Sequence, residues 1–255
     1  MNIFDALILG AVQGFTEFLP ISSSGHLVIG QYLLGLSLPG QIFEVLVHLG
    51  TLLSVMVVFK KDIVEIIVHL FNERNQQLAG AIIIGTVPAV IVGLTLKDSI
   101  GDIFENITAV SISLVATGIW LITTKAFKNK NHSVNIKRGF IIGCIQAIAI
   151  IPGISRSGTT IGMAMFLGIS PEKAARFSFL LAIPAIAGAG LLTALDLDAS
   201  SLQGFSVISM LAAFLSSFLV GWFSLSWLLK CISKGKFHWF GVYCLFVGFL
   251  TLIFQ

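Results

Sequence analysis

Apolar residues run along most of this chain in blocks far longer than a buried strand needs, with polar residues confined to short intervals. Six blocks, at about 41–59, 77–96, 107–125, 173–195, 205–229 and 237–254, are long enough to cross a bilayer as helices. Two further apolar regions are broken in the middle. One leads through LPISSSGH into a short run at 27–36, the other through IPGISRSGTT into a run at 159–169. Neither arm of these regions makes a comfortable span by itself. A helix, a break and a second helix that enter and leave by one face fit better, with protein or a wet cavity around the irregular backbone.

The two broken regions are copies of each other. A shift of 133 positions superposes Ile8 on Ile141, Gly10 on Gly143, Gln13 on Gln146, Ile21 on Ile154, Ser22 on Ser155, Ser24 on Ser157 and Gly25 on Gly158. Seven identities in eighteen positions, where about one or two would arise by chance, mark an internal duplication. The predicted architecture is therefore an all-α integral membrane protein of one domain, 1–255. Repeat 1 covers about 1–125, with a re-entrant hairpin at 2–36 and three spans. Repeat 2 covers about 138–255, with a hairpin at 138–169 and three spans. Three crossings per repeat give the copies opposite orientations, so six transmembrane helices and two hairpins form an inverted repeat whose hairpin tips meet near the midplane.

Charge agrees with this layout. Of the fifteen Lys and Arg residues, thirteen fall on one face: Lys60, Lys61, Arg74, Lys125, Lys128, Lys130, Lys137, Arg138, Lys173, Arg176, Lys230, Lys234 and Lys236. Asp98, Asp102, Glu105, Asp196 and Asp198 fall on the other, with Lys97. The basic face is expected in the cytoplasm and both termini outside. A mean hydropathy of +0.99 and 11% charged residues exclude a soluble domain of any size, and a net charge of +3 gives no reason to expect a nucleic-acid partner. Membrane lipids are the expected surroundings, and a homodimer is left open. The N-terminus lacks the basic start of a cleaved signal peptide. Cys144, Cys231 and Cys244 read as buried small side chains rather than a disulfide or metal set. Residues 60–77, with Ile63, Ile66, Ile67, Leu70 and Phe71 at helical spacing, predict a helix lying on the cytoplasmic membrane surface.

The chemistry concentrates in the breaks. Each second arm starts with helix amides that have no intrahelical acceptor and carry positive partial charge. Ser22, Ser24 and Gly25 in one hairpin, and Ser155, Ser157, Gly158 and Thr160 in the other, are small and hydroxyl-rich. Two such starts facing each other would cradle an anion, and Arg156 adds a fork that matches phosphate oxygens. Glu17 and Arg156 are ionisable groups inside membrane segments, so each needs a partner or a function. Gln13 and Glu17, four apart on one helix face, are candidate oxygen ligands for a divalent cation, Mg²⁺ or Ca²⁺. His26 follows Ser23 by three and is expected within reach of its hydroxyl, as base, acid or nucleophile. Glu44 and His48, also four apart, are expected to stand behind the same site.

These motifs resemble those of the undecaprenyl-diphosphatase family, also called bacitracin-resistance proteins. Gln13 and Glu17 match its first pattern, which continues through LPISSSGH with Ser22, Ser23 and His26. Pro152, Gly153, Ser155, Arg156, Ser157 and Thr160 match its second, PGxSRSxxT, and the likeness runs along essentially the whole chain. The resemblance implies hydrolysis of undecaprenyl pyrophosphate to the monophosphate, recycling of the cell-wall lipid carrier, tolerance of bacitracin and dependence on a divalent cation. On this basis the pyrophosphate is gripped by Arg156 and the two helix starts. The nucleophile is Ser23 activated by His26, His26 itself, or a metal-bound water. The alternative function is a transporter that carries the polyprenyl phosphate across the bilayer.

Overall fold

The computed structural model describes residues 1–36, 42–95, 106–195 and 206–254, and among these the regular structure is entirely helical. The first half of the chain supplies α1 (Ile3–Thr16), α2 (Ser23–Leu33), α3 (Ile42–Val58), α4 (Lys60–Val68), α5 (Glu73–Thr95) and α6 (Ile107–Thr123). The second half supplies α7 (Ile136–Ile148), α8 (Arg156–Phe166), α9 (Pro171–Leu195), α10 (Val207–Ser233) and α11 (Trp239–Ile253). Four helices are long and apolar enough to cross a membrane, and the bent pair α3–α4 makes five. The chain is thus a multi-pass membrane protein. The last apolar block forms a helix of 15 residues, shorter than the others.

Within the described residues all six apolar blocks are helical. The register of the two repeats also persists in the element bounds: shifting α2, 23–33, by 133 gives 156–166, the bounds of α8. Local capping explains the agreement. Asn2 starts α1 with a capping box, accepting from the Asp5 amide at 2.9 Å while its own amide donates to the Asp5 carboxylate at 3.2 Å. Asn135, at the same register, caps α7 by accepting from the Arg138 amide at 2.9 Å.

The two halves of the chain pack by exchange. α1 lies along α10, α7 lies along α5, and α6 pairs with α11. These contacts run through small residues, as expected where lipid gives no hydrophobic drive for helix association. A Cβ built on Gly14 of α1 would sit 2.6 Å from the Ser217 carbonyl oxygen of α10, and one on Gly118 of α6 would sit 2.8 Å from the Gly241 oxygen of α11. Serines bond across the same seams: Ser224 Oγ donates to the Gly14 carbonyl and Ser54 Oγ to the Phe218 carbonyl, each at 2.7 Å. Large apolar side chains such as Phe4, Ile83, Leu215, Phe223 and Phe246 face outward, the pattern of a lipid-facing surface.

Two expectations change. Residues 60–77 are not one helix: α4 ends at Val68, a turn follows, and α5 begins at Glu73. The chain bends by 70° between α3 and α4. Ile63 and Ile66 pack on the core, while Ile67, Leu70 and Phe71 remain exposed, and Arg176 of α9 pairs with Asp62 and lies 3.6 Å from Glu65. An ion pair, as well as an apolar face, thus holds α4 against the bundle. Among the cysteines only Cys244 is fully buried, and its thiol donates to the Pro20 carbonyl at 3.4 Å; Cys144 and Cys231 are half-buried. Lys97, Asp98, Asp102, Glu105, Asp196 and Asp198, on which the outer-face assignment rests, lie outside the described residues.

Candidate active site

The site forms where α1 and α7 stop. Pro20 lacks an amide hydrogen and disfavours helical backbone at Leu19, so α1 cannot continue. In the second hairpin Gly153 stands at the register of Pro20 with φ 90°, a conformation open to glycine, and its α-carbon packs against the Val110 carbonyl. Thr117 of α6 secures this break, donating to the Gly153 carbonyl at 3.1 Å and accepting from the Ser155 amide at 3.2 Å.

The two tips meet. Ser157 Oγ donates to the Leu19 carbonyl at 3.3 Å, and a Cβ on Gly158 would lie 3.1 Å from the Pro20 Cβ. The central group is Glu17, whose residue is only 7% exposed. Its Oε1 accepts from Arg156 Nη2. Its Oε2 accepts from Ser23 Oγ at 2.6 Å and Gln13 Nε2 at 3.0 Å, and lies 3.4 Å from His48 Nε2. One carboxylate thus gathers four side chains from α1, α2, α3 and α8. The buried charge is compensated by a guanidinium and by hydrogen bonds, which is what such burial requires.

His26 is placed differently from the expectation. Its Nδ1 donates to the Ser22 carbonyl at 2.8 Å, and its Nε2 accepts from the Tyr243 hydroxyl at 2.9 Å. The two rings are stacked with centroids 5.7 Å apart. Ser23 is paired with Glu17 and not with His26. The cause lies in Ser22, whose φ of 68° and ψ of 99° are uncommon for a residue with a side chain. This turn directs the Ser22 carbonyl to the imidazole and sends the Ser23 hydroxyl the other way.

The hydroxyls of the expected cradle are largely occupied. Ser22 Oγ and Ser155 Oγ accept from the Gly25 and Gly158 amides at 3.4 and 3.1 Å, as helix caps. Ser24 and Ser157 contact these capping oxygens, each at 3.3 Å. Thr160 donates to the Arg156 carbonyl at 2.7 Å and meets Ser178 Oγ at 2.6 Å, tying α8 to α9. What stays open is the set of first-turn amides: those of Ser23, Ser24, Arg156 and Ser157 have no acceptor among the described residues. Arg156 Nη1 and Gln13 Oε1 are also buried without partners there. A free guanidinium donor and a free amide oxygen therefore flank the Glu17 carboxylate.

Glu44 does not join this carboxylate; its backbone carbonyl accepts from His48 Nδ1 at 2.6 Å. It thereby orients His48 toward Glu17. No group of three or more His, Cys, Asp or Glu residues suited to a metal occurs among the described residues. Gln13 Oε1 with the Glu17 carboxylate nevertheless suits a hard cation that takes its other ligands from phosphate and water. Sequence reasoning missed Tyr243, Thr117 and Ser178. The chain has two tyrosines, and one of them inside the last apolar block is the signal that was available; Thr117 has no distinguishing local pattern.

Known proteins match this chain along almost its whole length. The profile of the family described as bacitracin resistance protein BacA matches residues 6–250. An undecaprenyl-diphosphatase of Christiangramia forsetii is 44% identical over 264 residues, covering 100% of this chain and 98% of the relative. Those of Desulfosudis oleivorans and Desulforapulum autotrophicum are 41% and 38% identical, each over 99% of this chain and 98% of the relative. With full-length identity at this level and the profile spanning both hairpins, the chain belongs to the bacitracin resistance protein BacA family.

Proposed function

We propose that this protein hydrolyses undecaprenyl diphosphate to the monophosphate and inorganic phosphate, returning the cell-wall lipid carrier to use and conferring tolerance of bacitracin. The observation that carries the reading is the Glu17 cluster at the meeting of two helix starts, with Arg156 Nη1 left as an unpaired donor. A buried guanidinium and four open amides suit a diphosphate headgroup whose polyprenyl tail remains in lipid.

In this mechanism Arg156 and the first-turn amides of α2 and α8 hold the phosphate oxygens. Ser23 Oγ attacks the terminal phosphorus, its proton passes to Glu17 Oε2, and the bond from phosphorus to the bridging oxygen breaks, releasing the lipid monophosphate. Water then attacks the phosphoserine, phosphate leaves, and Glu17 returns the proton to Ser23. The Ser23–Glu17 distance of 2.6 Å favours the carboxylate over His26 as proton acceptor. His26, with Nδ1 committed to a carbonyl, positions Ser22 and offers only Nε2 for chemistry. A divalent cation, Mg²⁺ or Ca²⁺, would be held by Gln13 Oε1 and Glu17 and would neutralise charge on the phosphate oxygens. Substitution of Ser23 by Ala tests the scheme: substrate should still bind while phosphate release falls by at least about 10²-fold. Unchanged release would exclude Ser23 as nucleophile.

The finer architecture belongs to the same proposal. Two re-entrant hairpins and six spans form an inverted repeat, about 1–125 and 138–255, with both termini outside and the basic loops in the cytoplasm. The exchanged packing of α1 on α10 and α7 on α5 supports it.

A further inference from the structure

Six buried side-chain polar atoms have no partner among the described residues, and four of them belong to three hairpin residues: Gln13 Oε1, Arg156 Nη1, and both Nε2 and Oε1 of Gln146. Gln146 is 3% exposed. An amide buried with both ends unpaired is destabilising, so a ligand is the economical explanation. Arg156 and Gln13 belong to the cluster already described; Gln146 does not.

The duplication indicates what Gln146 binds. In the first hairpin the residues at two registers, Gln13 and Ser23, both donate to one oxygen, Glu17 Oε2, at 3.0 and 2.6 Å. Shifted by 133, those registers are Gln146 and Arg156, and the register of Glu17 is held by Ile150. The second hairpin therefore keeps the two donors, makes one of them cationic, and has no carboxylate of its own between them. An anionic oxygen supplied from outside would stand there as Glu17 Oε2 stands in the first hairpin.

We propose that Gln146 and Arg156 form a phosphate-oxygen subsite in the second hairpin, in which Gln146 Nε2 and Arg156 Nη1 donate to an oxygen of the substrate diphosphate. The inference rests on the diphosphatase reading and adds a binding residue to it. It also assigns a reason for Ile150: a carboxylate at that register would fill the subsite from within.

The test uses the purified full-length chain with undecaprenyl diphosphate as substrate, reading KM, kcat and the substrate-free melting temperature. Gln146→Met removes the orphaned amide at similar volume. Its expected result is a KM raised about tenfold, kcat changed less than KM, and a melting temperature equal to or above that of wild type. A KM within about twofold of wild type overturns the proposal whatever the melting temperature does, because a water-filled structural slot would behave that way. If Gln146→Met does not fold, the pair Ile150→Glu and Ile150→Gln decides. The two are matched in size, and the subsite requires that only the charged one raise KM about tenfold or more, whereas equal effects overturn it. Absence of phosphate release by wild type would instead refute the diphosphatase reading, so the two failures are distinguishable.

Discussion

At the scale of single residues the account turns on Glu17. It is the only carboxylate at the hairpin tips, and it serves Arg156, Ser23, Gln13 and His48 together. Glu17→Gln keeps the volume but leaves the Arg156 guanidinium buried without its counter-ion. We expect loss of turnover and a stability decrease of about 3 kcal/mol or more, read by thermal unfolding in detergent. Arg156→Lys retains charge but replaces a two-pronged fork by a point, and kcat/KM should fall about 10²-fold; a value near that of wild type would show that only charge matters. Tyr243→Phe keeps the stacked ring and removes the hydroxyl from His26. If His26 acts by positioning Ser22, the loss should stay below about tenfold, well short of the effect of Ser23→Ala.

The scale of elements shows what the sequence made legible. The break in each apolar run and the helix that follows it could be read because they are written locally: a Pro or Gly break and a hydroxyl-rich helix start recur 133 residues apart. Gln13, Glu17, Ser23 and Arg156 could be singled out because polar and charged groups in apolar surroundings require partners. The pairing of Ser23 with Glu17 instead of His26 was not legible, since it depends on the unusual backbone of Ser22. Direct contact of His48 with Glu17 required the placement of α3 beside α1, and Tyr243 lies 217 residues from His26. The bend between α3 and α4 was legible, since the apolar block ends at Phe59 and Lys60, Lys61 and Asp62 follow; the break after Val68 was not, since the spacing of Ile67, Leu70 and Phe71 runs through it.

Packing of these elements gives a prediction of its own. Gly14→Leu should destabilise the protein by about 1–3 kcal/mol or more, because its Cβ would meet the α10 backbone at 2.6 Å. Gly93→Ala in α5, with open space around the added carbon, should be neutral or stabilising by up to about 1 kcal/mol. Comparable effects of the two on the melting temperature would contradict the close seam.

Taken as a whole molecule, the protein is a helical bundle in which each half of the chain contributes a broken helix to one buried centre. Symmetric registers carry asymmetric chemistry: Ser23 and Arg156 stand at the same position of their hairpins, as do Glu17 and Ile150. In the proposed mechanism that difference separates a catalytic hairpin from an anion-holding one. Removal of divalent cations should abolish turnover, and added Mg²⁺ or Ca²⁺ should restore it, without unfolding the protein, because the proposed cation would be held largely by substrate and not by a cage of side chains. A carrier of polyprenyl phosphate would need the anion-holding residues but neither Ser23 nor a proton acceptor.

The most direct test is release of inorganic phosphate from undecaprenyl diphosphate by the purified protein, with Glu17→Ala and Arg156→Ala beside wild type. The account predicts release by wild type and its loss in both variants. Contradiction would be lipid that still binds through Arg156 while wild type releases no phosphate, the behaviour of a carrier.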